Sequence, residues 1–115
     1  MTLPAKVMIV EVGPRDGFQM ESAFIPTDKK VEVINAISRT GIQKIETTSF
    51  VNPKVIPQMA DAAQVMRQID RVAGVTYTAL VPNLKGAERA AAAKVDALRL
   101  VIDRKSTRLN SSHRL

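Results

Sequence analysis

Val10-Glu11-Val12-Gly13-Pro14-Arg15-Asp16-Gly17-Phe18-Gln19 places a charged Arg-Asp pair between two glycines, directly after an apolar run. That run, Val7 to Val12 interrupted only by Glu11, is rich in β-branched residues and stops at Gly-Pro, so it reads as a buried parallel strand. Gly13 and Gly17 flank Pro14, whose ring fixes one dihedral, and together they predict a sharp but rigid turn. A turn at the mouth of a strand aims side chains. The Asp16 carboxylate suits a divalent cation bound through oxygen, and the Arg15 guanidinium suits a developing oxyanion. Taken alone, the same spacing more often describes a solvated ion pair or a loop clamp.

Outward from this stretch the chain alternates between two periodicities. Gln19 to Ile25 is expected as a loop, and Pro26-Thr27 opens a helix with Thr27 as its N-cap. Val31, Ile34 and Ile37 recur at helical spacing until Thr40-Gly41 stops them. Gln43 to Phe50 reads as a second strand, with Ile45, Thr47 and Ser49 on one face and Glu46, Thr48 and Phe50 on the other. A helix begins at Pro57 and buries Met59, Ala62, Ala63, Met66 and Ile69, the methionines serving as core filler. Ala73-Gly74 ends it. Val75 to Val81 makes a third strand, Leu84 to Ala93 an alanine-rich helix, and Ala97 to Ile102 a fourth strand. The order βαβαβαβ with short connections predicts an α/β fold of parallel strands joined by right-handed crossovers. Periodicity alone leaves an open doubly wound sheet and a closed barrel both standing. The lack of G-x-G-x-x-G after the first strand disfavours the dinucleotide-binding open sheet.

Composition narrows the function classes. The 115 residues include no cysteine, which removes disulfides and thiol chemistry from this chain and fits a reducing compartment. No apolar run approaches the roughly 20 residues of a membrane span, and Met1 to Lys6 has no signal-peptide character, so a soluble cytoplasmic protein without membrane partners is expected. The net charge is +6, but the tail from residue 103 holds four cations against Asp103 alone, leaving thirteen cations and ten acids on the first 102 residues. Half of the excess charge therefore sits in a short tail. With three Phe, one Tyr and no Trp there is no stacking surface to accompany it, and nucleic acid is not an expected partner.

The strings EVGPRDGFQ, IETTSFVNPKVIPQMAD and LVPNLKG, in that order, resemble the 3-hydroxy-3-methylglutaryl-coenzyme A lyases from about Val7 to Ile102. The resemblance implies a TIM (β/α)8 barrel, of which this chain is the first three βα units plus a fourth strand. At 115 residues it is too short for the whole barrel of about 250. It implies an acyl-CoA substrate, cleaved with Mg²⁺ or Mn²⁺ into acetyl-CoA and acetoacetate. It further implies that Asp16 is a metal ligand, that Arg15 contacts the substrate thioester oxygen, that Glu46 is an active-site carboxylate, and that Gln19 lies near the substrate. Read from its surroundings alone, Glu46 is also a buried carboxylate that pairs with a basic group such as Arg15. Glu11 is expected only as an outer partner. Met20 stands where the family usually has Asn, and helix capping and surface charge account for Asn83 and Lys85. The family's His-x-His metal pair, further Asn ligand and reactive Cys belong to later strands, so this chain by itself is expected to be inactive and the complete protein to be a homo-oligomer.

Two other readings compete. A related condensing enzyme of the isopropylmalate or homocitrate synthase type shares the Arg-Asp motif, but usually with Thr-Leu before it where this chain has Gly13-Pro14. A small basic binding module without chemistry is the reading from another class, and it requires steeply salt-dependent nucleic-acid binding. Beyond Ile102 the text becomes Asp103-Arg104-Lys105-Ser106-Thr107-Arg108-Leu109-Asn110-Ser111-Ser112-His113, without periodicity. It is expected to be disordered. The string also resembles an in-frame translation of a common DNA-sequencing adapter, which would make residues 103–115 non-native and His113 meaningless as a ligand; resequencing the locus decides that point.

Overall fold

The computed structural model describes residues 9–101 and 111–114. Its framework is a sheet in the order β1-β2-β3-β4-β5: β1 (Val10–Glu11), β2 (Lys44–Ser49), β3 (Thr76–Val81), β4 (Ala97–Leu100) and β5 (Ser111–Arg114). The first four strands are parallel and stand in chain order. Between them lie α1 (Gly13–Met20), α2 (Thr27–Ser38), a 3₁₀ turn at Pro57–Met59, α3 (Ala62–Gln68) and α4 (Leu84–Ala92).

One core joins α2, α3 and α4 to a single face of the sheet. Ile34, Val65, Met66 and Ala90 pack with Ile45, Tyr77, Ala79, Val81 and Leu98. Glu46, Thr78 and Arg99, one residue out of step with those strand positions, line the other face. Sequential parallel strands with helices on one side only are the geometry of a (β/α)8 barrel wall, whereas a doubly wound sheet covers both faces and reverses its strand order. The fold is therefore a partial TIM barrel.

Several local expectations change in the folded chain. The segment after β1 is a helix rather than a sharp turn, and Gln19 and Met20 belong to that helix rather than to a loop. Pro14 sits in its first turn, where a missing N–H costs nothing, and neither Gly13 nor Gly17 has a positive φ. Pro26, not Thr27, takes the N-cap position of α2; the Thr27 hydroxyl instead donates to Asp61 Oδ2 at 2.6 Å. β1 is an edge strand, so Val10 is exposed rather than buried; residues 1–8, which include the start of the expected strand, lie outside the described residues.

The β2 face assignment also shifts. Glu46 pairs with Thr78 and Thr48 with Ala79, so Thr47 is a bulge, and Phe50 joins the core that Ile45 occupies. The Thr47 hydroxyl donates to Thr78 O at 2.8 Å, which satisfies it inside the core. Of the tail expected to be disordered, Ser111–Arg114 run antiparallel along β4, while residues 102–110 and 115 lie outside the described residues. An open strand edge offers unpaired backbone groups to any extended segment that can reach it.

Candidate active site

Four features position the Arg-Asp pair. β1 delivers the chain to Val12; Glu11 Oε1 then accepts a hydrogen bond from Gly13 N at 2.7 Å, satisfying an otherwise free amide at the start of α1. Asp16 N donates to Val12 O at 2.9 Å. α1 lies against β2, and Pro14 is buried beneath it. The first turn of α1 thus sits at the carboxyl end of β1, with Arg15 turned toward β2.

Arg15 Nε donates to Glu46 Oε2 at 3.1 Å. The Glu46 side chain is 1% exposed and that of Arg15 15%. Arg99, from β4, brings a second guanidinium to within 3.6 Å of the same Oε2 atom. A buried carboxylate between two guanidinium groups is compensated, and in return it fixes Arg15 in place. Asp16 behaves differently: its side chain is 54% exposed and contacts only Arg15, at 3.6 Å among the described residues.

Beside Glu46 the inner face of the sheet carries a cavity of about 250 Å³, bordered by Val10, Val12, Lys44, Thr78 and Arg99. Among the described residues three buried side-chain polar atoms lack a hydrogen-bond partner: Gln19 Oε1, Glu46 Oε1 and Ser49 Oγ. All three belong to α1 and β2, the elements that carry the Arg15–Glu46 pair. Folded chains rarely leave such atoms unpaired, so their concentration here marks a surface shaped to meet further polar groups.

Of the residues expected to form one site, the fold brings Arg15 against Glu46 and leaves Asp16 beside Arg15 on the exposed side, while Gln19 lies one helical turn after Arg15 on α1. Glu11 is a helix cap. Asn83 does cap α4, its Oδ1 accepting from Gly86 N at 2.8 Å. Arg99 escaped the sequence reading, although a charged residue between Leu98 and Leu100 signals a strand position facing away from the helices. Lys30 and Asp61 escaped it as well: Lys30 Nζ lies 2.6 Å from Asp61 Oδ1, fully enclosed, 4.4 Å above the Phe24 ring, and it also donates to Gln58 O. Each precedes a core residue, Ile34 or Val65, by four positions, which places both on buried helical stripes. The pair ties α2 to the loop before α3, and Gln58 Nε2 in turn holds Glu21 O, just after α1, at 2.8 Å.

A divalent cation can be tested against these side chains. Glu46 is occupied by two guanidinium groups, and no group of three His, Cys, Asp or Glu is clustered among the described residues. Asp16 offers an exposed carboxylate oxygen of the kind a hard cation takes, and one such oxygen does not by itself make a cation site.

Known proteins resemble this chain in sequence and fold. A family model described as HMGL-like matches residues 6–115. The mouse cytoplasmic 3-hydroxy-3-methylglutaryl-CoA lyase is 56% identical over 91 residues, 79% of this chain and 26% of the mouse protein. A hydroxymethylglutaryl-CoA lyase of Bacillus subtilis is 57% identical over 90 residues, 78% of this chain and 30% of that protein. Among solved structures, the B. subtilis HMG-CoA lyase superposes with a TM-score of 0.82 at 51% identity, covering 87% of this chain and 34% of that one. An HMG-CoA lyase from Acinetobacter baumannii, in complex with coenzyme A and 3-methylmalate, gives 0.81 at 46% identity, covering 87% and 33%. The chain thus spans about a third or less of the length of these relatives. Its match to the family model nonetheless runs over nearly all of its residues, and on that ground the chain belongs to the HMGL-like family.

Proposed function

We propose that this chain supplies the first quarter to third of a lyase barrel that cleaves 3-hydroxy-3-methylglutaryl-CoA into acetyl-CoA and acetoacetate. The observation that carries the reading is the 3.1 Å contact between Arg15 and the buried Glu46, which locks a guanidinium at the carboxyl end of the strands. Its likeness to named HMG-CoA lyases, at 56% and 57% identity, supports the choice of substrate. The coenzyme A held by the A. baumannii relative supports an acyl-CoA in particular.

The chemistry demands two things. Breaking the carbon–carbon bond while the tertiary hydroxyl loses its proton leaves the enolate of the thioester, which must be stabilised and then protonated at carbon. Arg15, prevented from turning away by Glu46, presents N–H donors to the thioester oxygen as charge develops on it, and a fixed donor of this kind needs no reorganisation during the reaction. Arg99 neutralises the remaining charge of Glu46, so the carboxylate does not oppose an oxyanion nearby. Gln19 Oε1 and Ser49 Oγ offer unpaired polar atoms for substrate oxygens or hydroxyls. Asp16 would hold a Mg²⁺ or Mn²⁺ ion, whose role when bound is to polarise the substrate oxygens. The acid that protonates the enolate, and the other metal ligands, come from polypeptide beyond this chain. A cytoplasmic site of action belongs to the same reading.

The test compares the complete enzyme with the isolated chain. Arg15→Ala in the complete enzyme should lower kcat by about 10²–10³, the usual loss on removing one oxyanion donor. Arg15→Lys should recover little, because a point charge does not replace a planar fork. The purified 115-residue chain should release no acetoacetate with Mg²⁺ or Mn²⁺ present. Unchanged turnover in Arg15→Ala would refute the assignment, and it would favour a binding module or a different reaction.

A further inference from the structure

We propose that the enclosed Lys30–Asp61 pair is a positioning device for the candidate active site, setting the helix that carries Arg15 against the strand that carries Glu46; the proposal rests on the lyase reading above. Both residues are almost shut off from solvent, at 2% and 6% exposure. Stability alone does not call for such a pair, because apolar side chains of similar volume fill a core as well or better. What a buried ion pair adds is direction. Asp61 stands at the N-cap of α3, yet its carboxylate caps nothing there. It is turned inward, taking Lys30 Nζ on Oδ1 and the Thr27 hydroxyl on Oδ2, both at 2.6 Å. The ammonium directs a second proton to Gln58 O and lies over the Phe24 ring.

Two lines of contact lead from this hub to the site. The first runs to α1. Gln58, whose carbonyl Lys30 holds, donates from Nε2 to Glu21 O at 2.8 Å, at the residue that closes the helix. Lys30 Nζ also stands 6.0 Å from the centre of the Phe18 ring, one turn along α1 from Arg15. The second line runs to β2. Met59 follows Gln58 in the 3₁₀ turn, and its sulfur accepts the Thr48 hydroxyl at 3.7 Å, two positions after Glu46. α1 has only eight residues, and its other end is fixed by Glu11 and by Arg15 itself. Released at Phe18 and Glu21, so short a helix pivots on its first turn, and a guanidinium displaced by about 1 Å can lose about 10² in rate. Lys30 and Asp61 form their ion pair with each other and not with Arg15 or Glu46, so they act through these intermediaries.

The test uses the complete enzyme with Lys30→Met/Asp61→Leu, which puts apolar filling in place of the pair. A merely structural pair predicts that this variant regains both the melting temperature and the turnover lost in Lys30→Met. The positioning role predicts that the melting temperature returns while kcat stays at least about tenfold below wild type and KM hardly moves, the split expected when a contact made only in the transition state is weakened. Arg15→Ala should cost less in the double variant than in the wild type, since a misplaced guanidinium has less to lose. Gln58→Ala, which cuts the tie to Glu21 and leaves the ion pair whole, should lower kcat by a smaller factor, and Lys29→Met on the exposed face of α2 should leave it unchanged. Turnover that returns together with the melting temperature, or an Arg15→Ala loss equal in the two backgrounds, would overturn the proposal. Should the double variant not fold, wild-type turnover in Gln58→Ala would overturn it instead. A crystal structure of the double variant is independent of the reaction: Arg15 Nε should have left hydrogen-bonding distance of Glu46 Oε2, and an unchanged 3.1 Å contact would sink the positioning role whatever the substrate. A wild-type complete enzyme that does not cleave 3-hydroxy-3-methylglutaryl-CoA sinks the lyase reading alone.

Discussion

At the scale of single residues, similar letters carry opposite meanings. Gly17 and Gly86 both belong to recognisable motifs. Gly17 is an interior position of α1 where an added methyl would have no atom within 4 Å, while at Gly86 that methyl would meet the Phe50 carbonyl at 2.5 Å. Gly17→Ala should therefore stabilise the fold by about 0.5–1 kcal/mol, and Gly86→Ala should destabilise it by about 1–3 kcal/mol, read as shifts of the denaturant midpoint in opposite directions. A shared sign would show that the two helix starts are not built as described. Lys30 and Asp61 invite a double-mutant cycle. Lys30→Met leaves a carboxylate enclosed with only the Thr27 hydroxyl for company and should cost about 3–5 kcal/mol. Lys30→Met/Asp61→Leu should cost far less than the two single changes together, and strict additivity would mean that the pair is not coupled. In the sequence Lys30 is one more helical lysine; only its place on the Ile34 stripe hints that it is internal.

At the scale of elements, helix ends decide most of the local geometry. Gly41 and Gly74 supply left-handed backbone after α2 and before β3, at φ of 91° and 88°. After α4 the same conformation falls on Lys94, at φ 61°, where a side chain is strained. Arg71 compensates by donating to Lys94 O at 2.6 Å and to Ala93 O at 3.2 Å, binding carbonyls that the helix end leaves free. Lys94→Gly should raise stability by about 1 kcal/mol, since it relieves the strain and keeps the carbonyl that Arg71 holds. A lower melting temperature for this variant would count against that account. Strand and helix identities were legible from periodicity because each element buries one stripe. The bulge at Thr47 was not legible, because a one-residue slip leaves the letters of a strand unchanged and is fixed only by what Thr78 and Ala79 offer across the ladder.

At the scale of the whole molecule, a barrel wall without its closure leaves one face of the sheet uncovered. Among the described residues β1 is paired on one side only, Ile9 and Val10 are exposed, and the inner cavity beside Glu46 is open. The isolated chain should therefore self-associate, giving a sedimentation profile that shifts to larger species with concentration; a monomer throughout would show that the open edge is protected. The order of strands and helices could be read from the amino-acid string, because hydrophobic period is written in neighbouring residues, whereas the choice of a barrel over an open sheet rested on the family resemblance and not on periodicity. Folding in three dimensions was needed to make the Arg-Asp segment a helix capped by Glu11, to share Glu46 between Arg15 and Arg99, and to close Lys30 on Asp61. Those outcomes depend on groups 31 to 53 positions apart in the chain, or on a carboxylate that happens to reach back to an amide, and contacts of that kind exist only after the sheet has brought its strands side by side.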